Sequence, residues 1–116
     1  MALSKMRNVD YDLADSFAKW ERRVKWNSEV LVENNSVFLT LHWNIIAARP
    51  EDSLKDLTFH LPIKYQTVTT KNRLNAILLE MRFPVEIKAF KTVWFFVNKI
   101  DGSKTEVQPG PNFLHL

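Results

Sequence analysis

The chain has 116 residues, of which 46% are hydrophobic and none is cysteine. This length and composition predict one globular domain, and the lack of cysteine excludes disulfide frameworks, thiolate metal sites and cysteine nucleophiles. The net charge of +3 is unevenly divided, because residues 1–58 hold eight Lys and Arg against nine Asp and Glu, whereas residues 59–116 hold eight against four. The basic character therefore belongs to the second half of the chain.

The sequence contains no signal-peptide-like apolar run and no apolar stretch of the roughly 18 residues that a membrane span needs. We therefore expect an intracellular, soluble protein, for which the pattern does not distinguish cytoplasm from nucleus. We expect residues 1–9 to form a flexible N-terminus, and the domain proper to cover residues 10–108.

The first predicted element is a helix over residues 10–26. Aspartates crowd its start and Lys and Arg crowd its end, which is the arrangement that the helix dipole favours. Its apolar positions recur at the spacing of an amphipathic helix: Leu13, Phe17, Trp20 and Val24.

A strand hairpin is predicted next. Asn34 and Asn35 tolerate the positive φ of a tight turn, and they separate a short strand around residues 30–32 from a long alternating strand over residues 37–46. Arg49 and Pro50 interrupt this pattern, so residues 47–56 are predicted to be a loop.

Two periodicities meet in residues 57–81. Alternating apolar residues predict a strand over residues 57–67, and Pro62, which cannot donate to a sheet, predicts that this strand lies at an edge or carries a bulge. The spacing then becomes helical and predicts a helix over residues 71–82, capped by Thr69 or Thr70 and ended by Pro84.

Residues 84–100 fit either two strands or a helix by periodicity. Their β-branched and aromatic residues favour strands with a break near residues 90–92. Asp101-Gly102 is a strong hairpin signal leading into a strand over residues 104–107. Regular structure is predicted to end at residues 108–111, and the apolar tail, residues 109–116, either packs back on its own domain or inserts into a neighbour.

These elements predict an α+β fold. It comprises a mainly antiparallel sheet of about five strands with two helices packed on it, in the order α-β-β-β-α-β-β.

The residues that could carry catalysis are few. The three histidines and six serines occur in no recognisable catalytic motif, and the two glycines form no phosphate loop. His42 and His60 would lie close only if their strands were neighbours, and without a third ligand such a pair is typical of a solvated sheet face. We therefore expect no enzyme, no cofactor and no metal site.

The strand over residues 93–98 is apolar on both faces. With helices on one side of the sheet only, its even-numbered aromatics would be exposed, and large exposed apolar surface marks an interface. The sequence thus predicts a non-enzymatic binding or structural protein that acts through protein–protein contacts, as a homodimer or with another protein. The predicted contact residues are Trp94, Phe96, Phe113 and Leu114.

The alternative function is binding of RNA or single-stranded DNA through the basic second half. Cations beside aromatic residues such as Tyr65, Phe90 and Trp94 are the general means of binding single strands, although no RNP-like, KH or helix-turn-helix signature is present. The cations of this alternative are Lys64, Lys71, Arg73, Arg82, Lys88 and Lys91.

Overall fold

The computed structural model describes residues 6–61 and 67–116, which form two helices and nine strands. In chain order these are α1 (Asn8–Lys19), β1 (Arg23–Lys25), β2 (Ser28–Glu33), β3 (Ser36–Leu41), β4 (Asn44–Pro50), β5 (Asp56–Leu61), α2 (Val68–Glu80), β6 (Val85–Phe90), β7 (Val93–Asn98), β8 (Lys104–Glu106) and β9 (Gly110–His115).

The strands form two antiparallel sheets. The larger has six strands in the order β1-β2-β3-β4-β5-β9, and the smaller has three in the order β6-β7-β8. The predicted α+β class and antiparallel pairing are confirmed, but two sheets replace the single sheet of about five strands. The two sheets meet in the core, where the rings of Phe59 in β5 and Phe96 in β7 stack with their centroids 6.4 Å apart.

Helix α1 is shorter than predicted. Trp20 adopts the left-handed conformation (φ 62°, ψ 36°) and ends the helix after Lys19, so the prediction is wrong beyond that residue. Two of the basic residues that follow, Arg23 and Lys25, lie in β1 instead and reach the carboxylate of Asp12 at 3.5 and 3.6 Å. These ion pairs satisfy the same charges that the helix dipole was expected to hold.

The long strand predicted over residues 37–46 is two strands. His42 and Trp43 form a tight turn between β3 and β4 with φ angles of 49° and 70°, a conformation that usually requires Asn or Gly at both positions. Strand β4 then continues to Pro50, so the predicted loop over residues 47–56 is wrong in its first part.

Arg49, near the end of β4, connects this strand to α1. Its side chain is buried and donates hydrogen bonds to the last carbonyls of α1: Nε and Nη2 to Phe17 O at 3.1 and 2.9 Å, and Nη2 to Ala18 O at 3.0 Å. Nη1 donates to Pro50 O at 2.9 Å. The end of α1 is thereby fastened to the six-stranded sheet, because these carbonyls have no partner within the helix.

Helix α2 confirms the second helical prediction with shifted ends. It begins at Val68 after Thr67, whose hydroxyl oxygen accepts a hydrogen bond from the Thr70 amide at 3.2 Å, so the cap is neither of the predicted threonines. The predicted apolar face is buried: Leu74, Ile77, Leu78 and Met81.

Strand β5 is paired on both sides, with β4 and with β9, so its predicted edge position is wrong over Asp56–Leu61. Pro62, the residue on which that prediction rested, lies outside the described residues. The edge is occupied by β9, which is formed by residues predicted to be an irregular tail. This segment packs back on its own domain, with Phe113 opposite Thr58 in the ladder.

The three strands of the smaller sheet confirm the interpretation of residues 84–107 as strands, including the break at residues 91–92 and the turn at Asp101-Gly102. Within residues 6–61 and 67–116, neither helix combines the length and apolar character needed to cross a membrane.

Candidate binding surface

Two of the predicted interface residues are buried. Trp94 and Phe96 are 5% and 9% exposed, and they face the core together with Ile87, which lies opposite Phe96 in the ladder between β6 and β7. The inward and outward faces of β7 are therefore the reverse of those predicted. These two aromatics were predicted to be interface residues because they were expected to be exposed. They are buried instead, and Phe96 packs against Phe59 of the larger sheet.

The other two predicted residues lie on β9, the outer strand of the six-stranded sheet. Leu114 packs against the core, whereas Phe113 is 80% exposed. Of the four predicted contact residues, Phe113 alone offers a large apolar side chain to solvent.

The cations of the nucleic-acid alternative are dispersed in the structure. Arg73 is buried in α2 beside Asp10, and Lys88 in β6 pairs with Glu86 at 3.4 Å. Lys64 lies outside the described residues. The remaining three lie on α2, just beyond its end and in the turn between β6 and β7: Lys71, Arg82 and Lys91.

The histidines do not approach one another as ligands would. His42 lies in the turn after β3 and His60 lies in β5, and β4 separates the two strands. In the part of the chain that the structure describes, no three His, Asp or Glu side chains are grouped to hold a metal. His115 instead ties β9 to β5, with Nδ1 2.6 Å from Asp56 Oδ1. This hydrogen bond, with a second from Ser53, lowers the pKa of the Asp56 carboxyl.

The most unusual exposed surface is formed by two adjacent turns. Trp26 and Asn27 join β1 to β2, and His42 and Trp43 join β3 to β4. Because Ser28 lies opposite Leu41 in the ladder between β2 and β3, both turns emerge at the same end of the sheet. The His42 amide donates to Asn27 O at 2.7 Å, which locks the turns together.

Both tryptophans at these turns are 93% exposed, and Val24 beside them is 69% exposed. Together with His42 they line one cavity of about 130 Å³. We call this surface, made by Val24, Trp26, His42 and Trp43, the hairpin-tip patch. A larger cavity of about 620 Å³ shares His42 and extends to the first turn of α2.

The backbone at the patch is strained. Trp26, His42 and Trp43 all have positive φ, at 55°, 49° and 70°, and this region costs an L-residue with a side chain about 1–2 kcal/mol. Exposed tryptophans recover little of this cost by packing within the chain. Trp20 and Lys91 share this conformation elsewhere in the chain, so the feature that distinguishes the patch is the exposure of its two tryptophans.

The sequence predictions missed the patch because they placed Trp26 at the end of a helix and Trp43 inside a strand. One signal could have found it. A strand over residues 37–46 would be ten residues long, whereas strands most often have about five or six residues. A turn in the middle of this segment would have placed His42 and Trp43 at a hairpin tip.

No curated protein and no solved structure matches this chain. A family model described as Kyanoviridae Gp96 protein matches residues 6–112, which is most of the sequence. The chain therefore belongs to the Kyanoviridae Gp96 protein family.

Proposed function

We propose that this chain is a small non-enzymatic binding protein that acts through protein–protein contacts, and that it self-associates through the hairpin-tip patch. The observation that carries the proposal is the pair of tryptophans, Trp26 and Trp43, each 93% exposed on adjacent turns. Tryptophan is enriched among the residues that contribute most to protein–protein binding, and contiguous exposed apolar surface with a polar rim is typical of interfaces.

The surroundings of the patch suit a contact between two copies. Val24 lies opposite Glu29 in the ladder between β1 and β2, and Glu29 lines the same cavity as the two tryptophans, so the apolar surface has a polar residue at its rim. In a twofold contact each surface meets itself, so the tryptophans of one copy would pack against those of the other. This apolar centre would supply most of the affinity.

Nucleic-acid binding through the basic second half has less support. Arg73 is buried and Lys88 is paired with Glu86, so neither offers a free cation on an open surface along which a nucleic-acid strand could lie.

Sedimentation velocity over a range of micromolar concentrations tests the proposal. The wild type should show a concentration-dependent dimer, and the double variant Trp26→Ser/Trp43→Ser should remain monomeric, since each truncation at the centre of an interface costs about 2 kcal/mol or more. That loss corresponds to a more than tenfold weaker association for each residue.

Two matched controls locate the contact. Ile100→Ser removes an apolar side chain that is 82% exposed at the other sheet, and it should leave the dimer unchanged. Phe113→Ser tests β9, the other predicted contact element, and it should also leave the dimer unchanged. A wild type that stays monomeric at high micromolar concentration contradicts self-association, and a dimer lost only in Phe113→Ser moves the interface to β9.

A further inference from the structure

A second cavity lies between the first turns of the two helices, on a surface that the hairpin-tip patch does not include. Its volume is about 380 Å³. We call it the inter-helix groove, and it is lined by Arg7, Val9, Asp10, Val68, Thr69, Asn72 and Arg73.

Arg73 is the unusual member of this groove. Its side chain is only 4% exposed, yet its Nε and Nη1 atoms are buried without a hydrogen-bond partner. The nearest carboxylate oxygen, Asp10 Oδ1, lies 3.8 Å from Nε, which is an ion pair but too long for a hydrogen bond. A buried guanidinium without acceptors is costly, so an external acceptor would stabilise it.

The electrostatics of the groove favour an anion. Burial lowers the pKa of Arg73, Asp10 opposes this shift, and the neighbouring charge of Arg7 adds to it; an arginine nevertheless stays charged in proteins. Asp10 is the one acidic side chain among the seven described lining residues, and its Oδ2 already accepts the Arg7 amide at 2.7 Å.

Two helix N-termini add to this positive field. Helices α1 and α2, of 12 and 13 residues, both begin at the groove, and each carries a partial positive charge and free amide donors at its first turn. The Asp10 amide in α1 already donates to the Arg7 carbonyl at 3.0 Å, and the Thr70 amide in α2 donates to Thr67 Oγ1 at 3.2 Å. Neither of these two amides is therefore available to a ligand.

We propose that the inter-helix groove binds a phosphate monoester, with Arg73 and Arg7 as its charged contacts and first-turn helix amides as further donors. A phosphate monoester offers three terminal oxygens and a charge near −2, which matches two guanidinium groups and donors arriving from several directions. A carboxylate would satisfy only one guanidinium. Val9 and Val68 at the wall would contact the organic group that carries the phosphate.

Thermal unfolding in the presence of inorganic phosphate, a nucleoside 5′-monophosphate, acetate or chloride at equal ionic strength is the first test. Both phosphate compounds should raise the melting temperature of the full chain, whereas acetate and chloride should not. A larger effect of the nucleoside monophosphate would show that the organic group contributes, and an equal effect would show that the phosphate alone is recognised. The absence of any phosphate-specific stabilisation overturns the proposal.

Substitutions then place the site, with affinities measured by isothermal titration calorimetry. Arg73→Met should weaken phosphate binding roughly tenfold or more, because it removes charge-assisted hydrogen bonds. Since Arg73 is buried and its loss could impair folding, Arg7→Ala serves as the second variant: Arg7 is exposed, and we expect a loss of roughly three- to tenfold.

Arg82→Asn is the matched control. It removes the same charge beyond the opposite end of α2, and asparagine tolerates the positive φ of 61° at this residue. Binding should be unchanged in this variant. If Arg7→Ala and Arg73→Met bind phosphate as tightly as the wild type, or if Arg82→Asn weakens binding equally, phosphate binds elsewhere and the proposal fails. Because these variants leave the hairpin-tip patch intact, the dimer is expected to persist in all of them.

Discussion

Arg49 and Arg73 are both buried arginines, but their surroundings differ. Arg49 donates to carbonyl oxygens from α1 and from its own turn, and its guanidinium carbon lies 5.6 Å from the centre of the Phe17 ring. Arg73 has two nitrogens without acceptors. A buried cation whose hydrogen bonds are satisfied can stabilise the fold, whereas one without acceptors is costly unless an external acceptor binds it, as we propose for Arg73. Sequence alone does not separate these cases, because the acceptors come from distant parts of the chain.

Replacing Arg49 should be among the most damaging single substitutions. We expect Arg49→Met to lower the free energy of unfolding by about 3 kcal/mol or more, since it leaves buried carbonyls at the end of α1 without donors. Urea denaturation measures this change. Arg49→Lys should recover only part of the loss, because one ammonium group cannot replace the guanidinium fork. Arg22→Met, at an exposed position, should change stability by less than about 0.5 kcal/mol. An Arg49→Met variant as stable as that control would contradict the role of Arg49.

At the scale of elements, we expect the turn between β3 and β4 to lower the stability of the fold while it supports self-association. Trp43→Gly should raise the free energy of unfolding by about 1 kcal/mol, because glycine adopts the positive φ of 70° without a side-chain clash and the 93% exposed indole contributes little packing. The same substitution should weaken self-association. Thermal unfolding and sedimentation velocity on one sample measure the two effects.

The turn between β2 and β3 provides the comparison. Asn35 also has positive φ, at 62°, but it lies at the opposite end of the sheet from the hairpin-tip patch. Asn35→Gly should leave the dimer intact and change stability only slightly, since asparagine already tolerates this conformation. If Trp43→Gly lowers stability instead, the indole packs within the chain and its strain has no functional meaning.

The elements of this fold differ in how well the sequence predicts them. Helix α2 and the strands of the smaller sheet were predictable, because burial imposes a regular spacing on residues such as Leu74 and Ile77 and because Asp101-Gly102 is a strong turn signal. The end of α1 at Trp20 and the hairpin turn at Trp43 were not predicted, because both residues adopt left-handed conformations. Tryptophan, unlike glycine or asparagine, does not indicate such a conformation in the sequence.

The candidate sites were less predictable than the fold. Phe113 is exposed, as the predicted contact role requires, but Trp94 is buried. The inward face of β7 is the one that packs towards the larger sheet, and the sequence does not show where that sheet lies. Arg73 was named for nucleic-acid binding, yet its unsatisfied nitrogens follow from the packing of α1 against α2. Contacts between elements distant in sequence determine both outcomes.

At the scale of the whole molecule, β9 connects the last residues described to the middle of the chain. It pairs with β5 along its full length, Leu114 packs against the core, and His115 bonds to Asp56 across the ladder. The larger sheet therefore depends on residues 110–116 for one of its edges. Without them, the backbone of β5 would become an open edge, which favours aggregation.

Deleting residues 110–116 should consequently destabilise the fold rather than only alter an interface. We expect the free energy of unfolding to fall on the order of 3 kcal/mol, from lost ladder hydrogen bonds and lost burial of Leu114, and urea denaturation measures this. The pKa of Asp56, now held below its ordinary 3.8 chiefly by His115, should rise in an NMR titration. In the intact chain, the contribution of ionised Asp56 to stability is fully present above its ordinary pKa. It is lost as the pH falls through the lowered pKa that Asp56 has in the folded protein.

Phe113→Ser separates the strand from its exposed side chain. It keeps the ladder and removes a ring that is 80% exposed, so it should change stability by less than about 0.5 kcal/mol and leave the Asp56 pKa low. A truncated chain with wild-type stability and an unchanged Asp56 pKa would show that β9 is dispensable to the larger sheet. If Phe113→Ser instead lowers the free energy of unfolding as much as the deletion of residues 110–116 does, the Phe113 ring itself stabilises the fold.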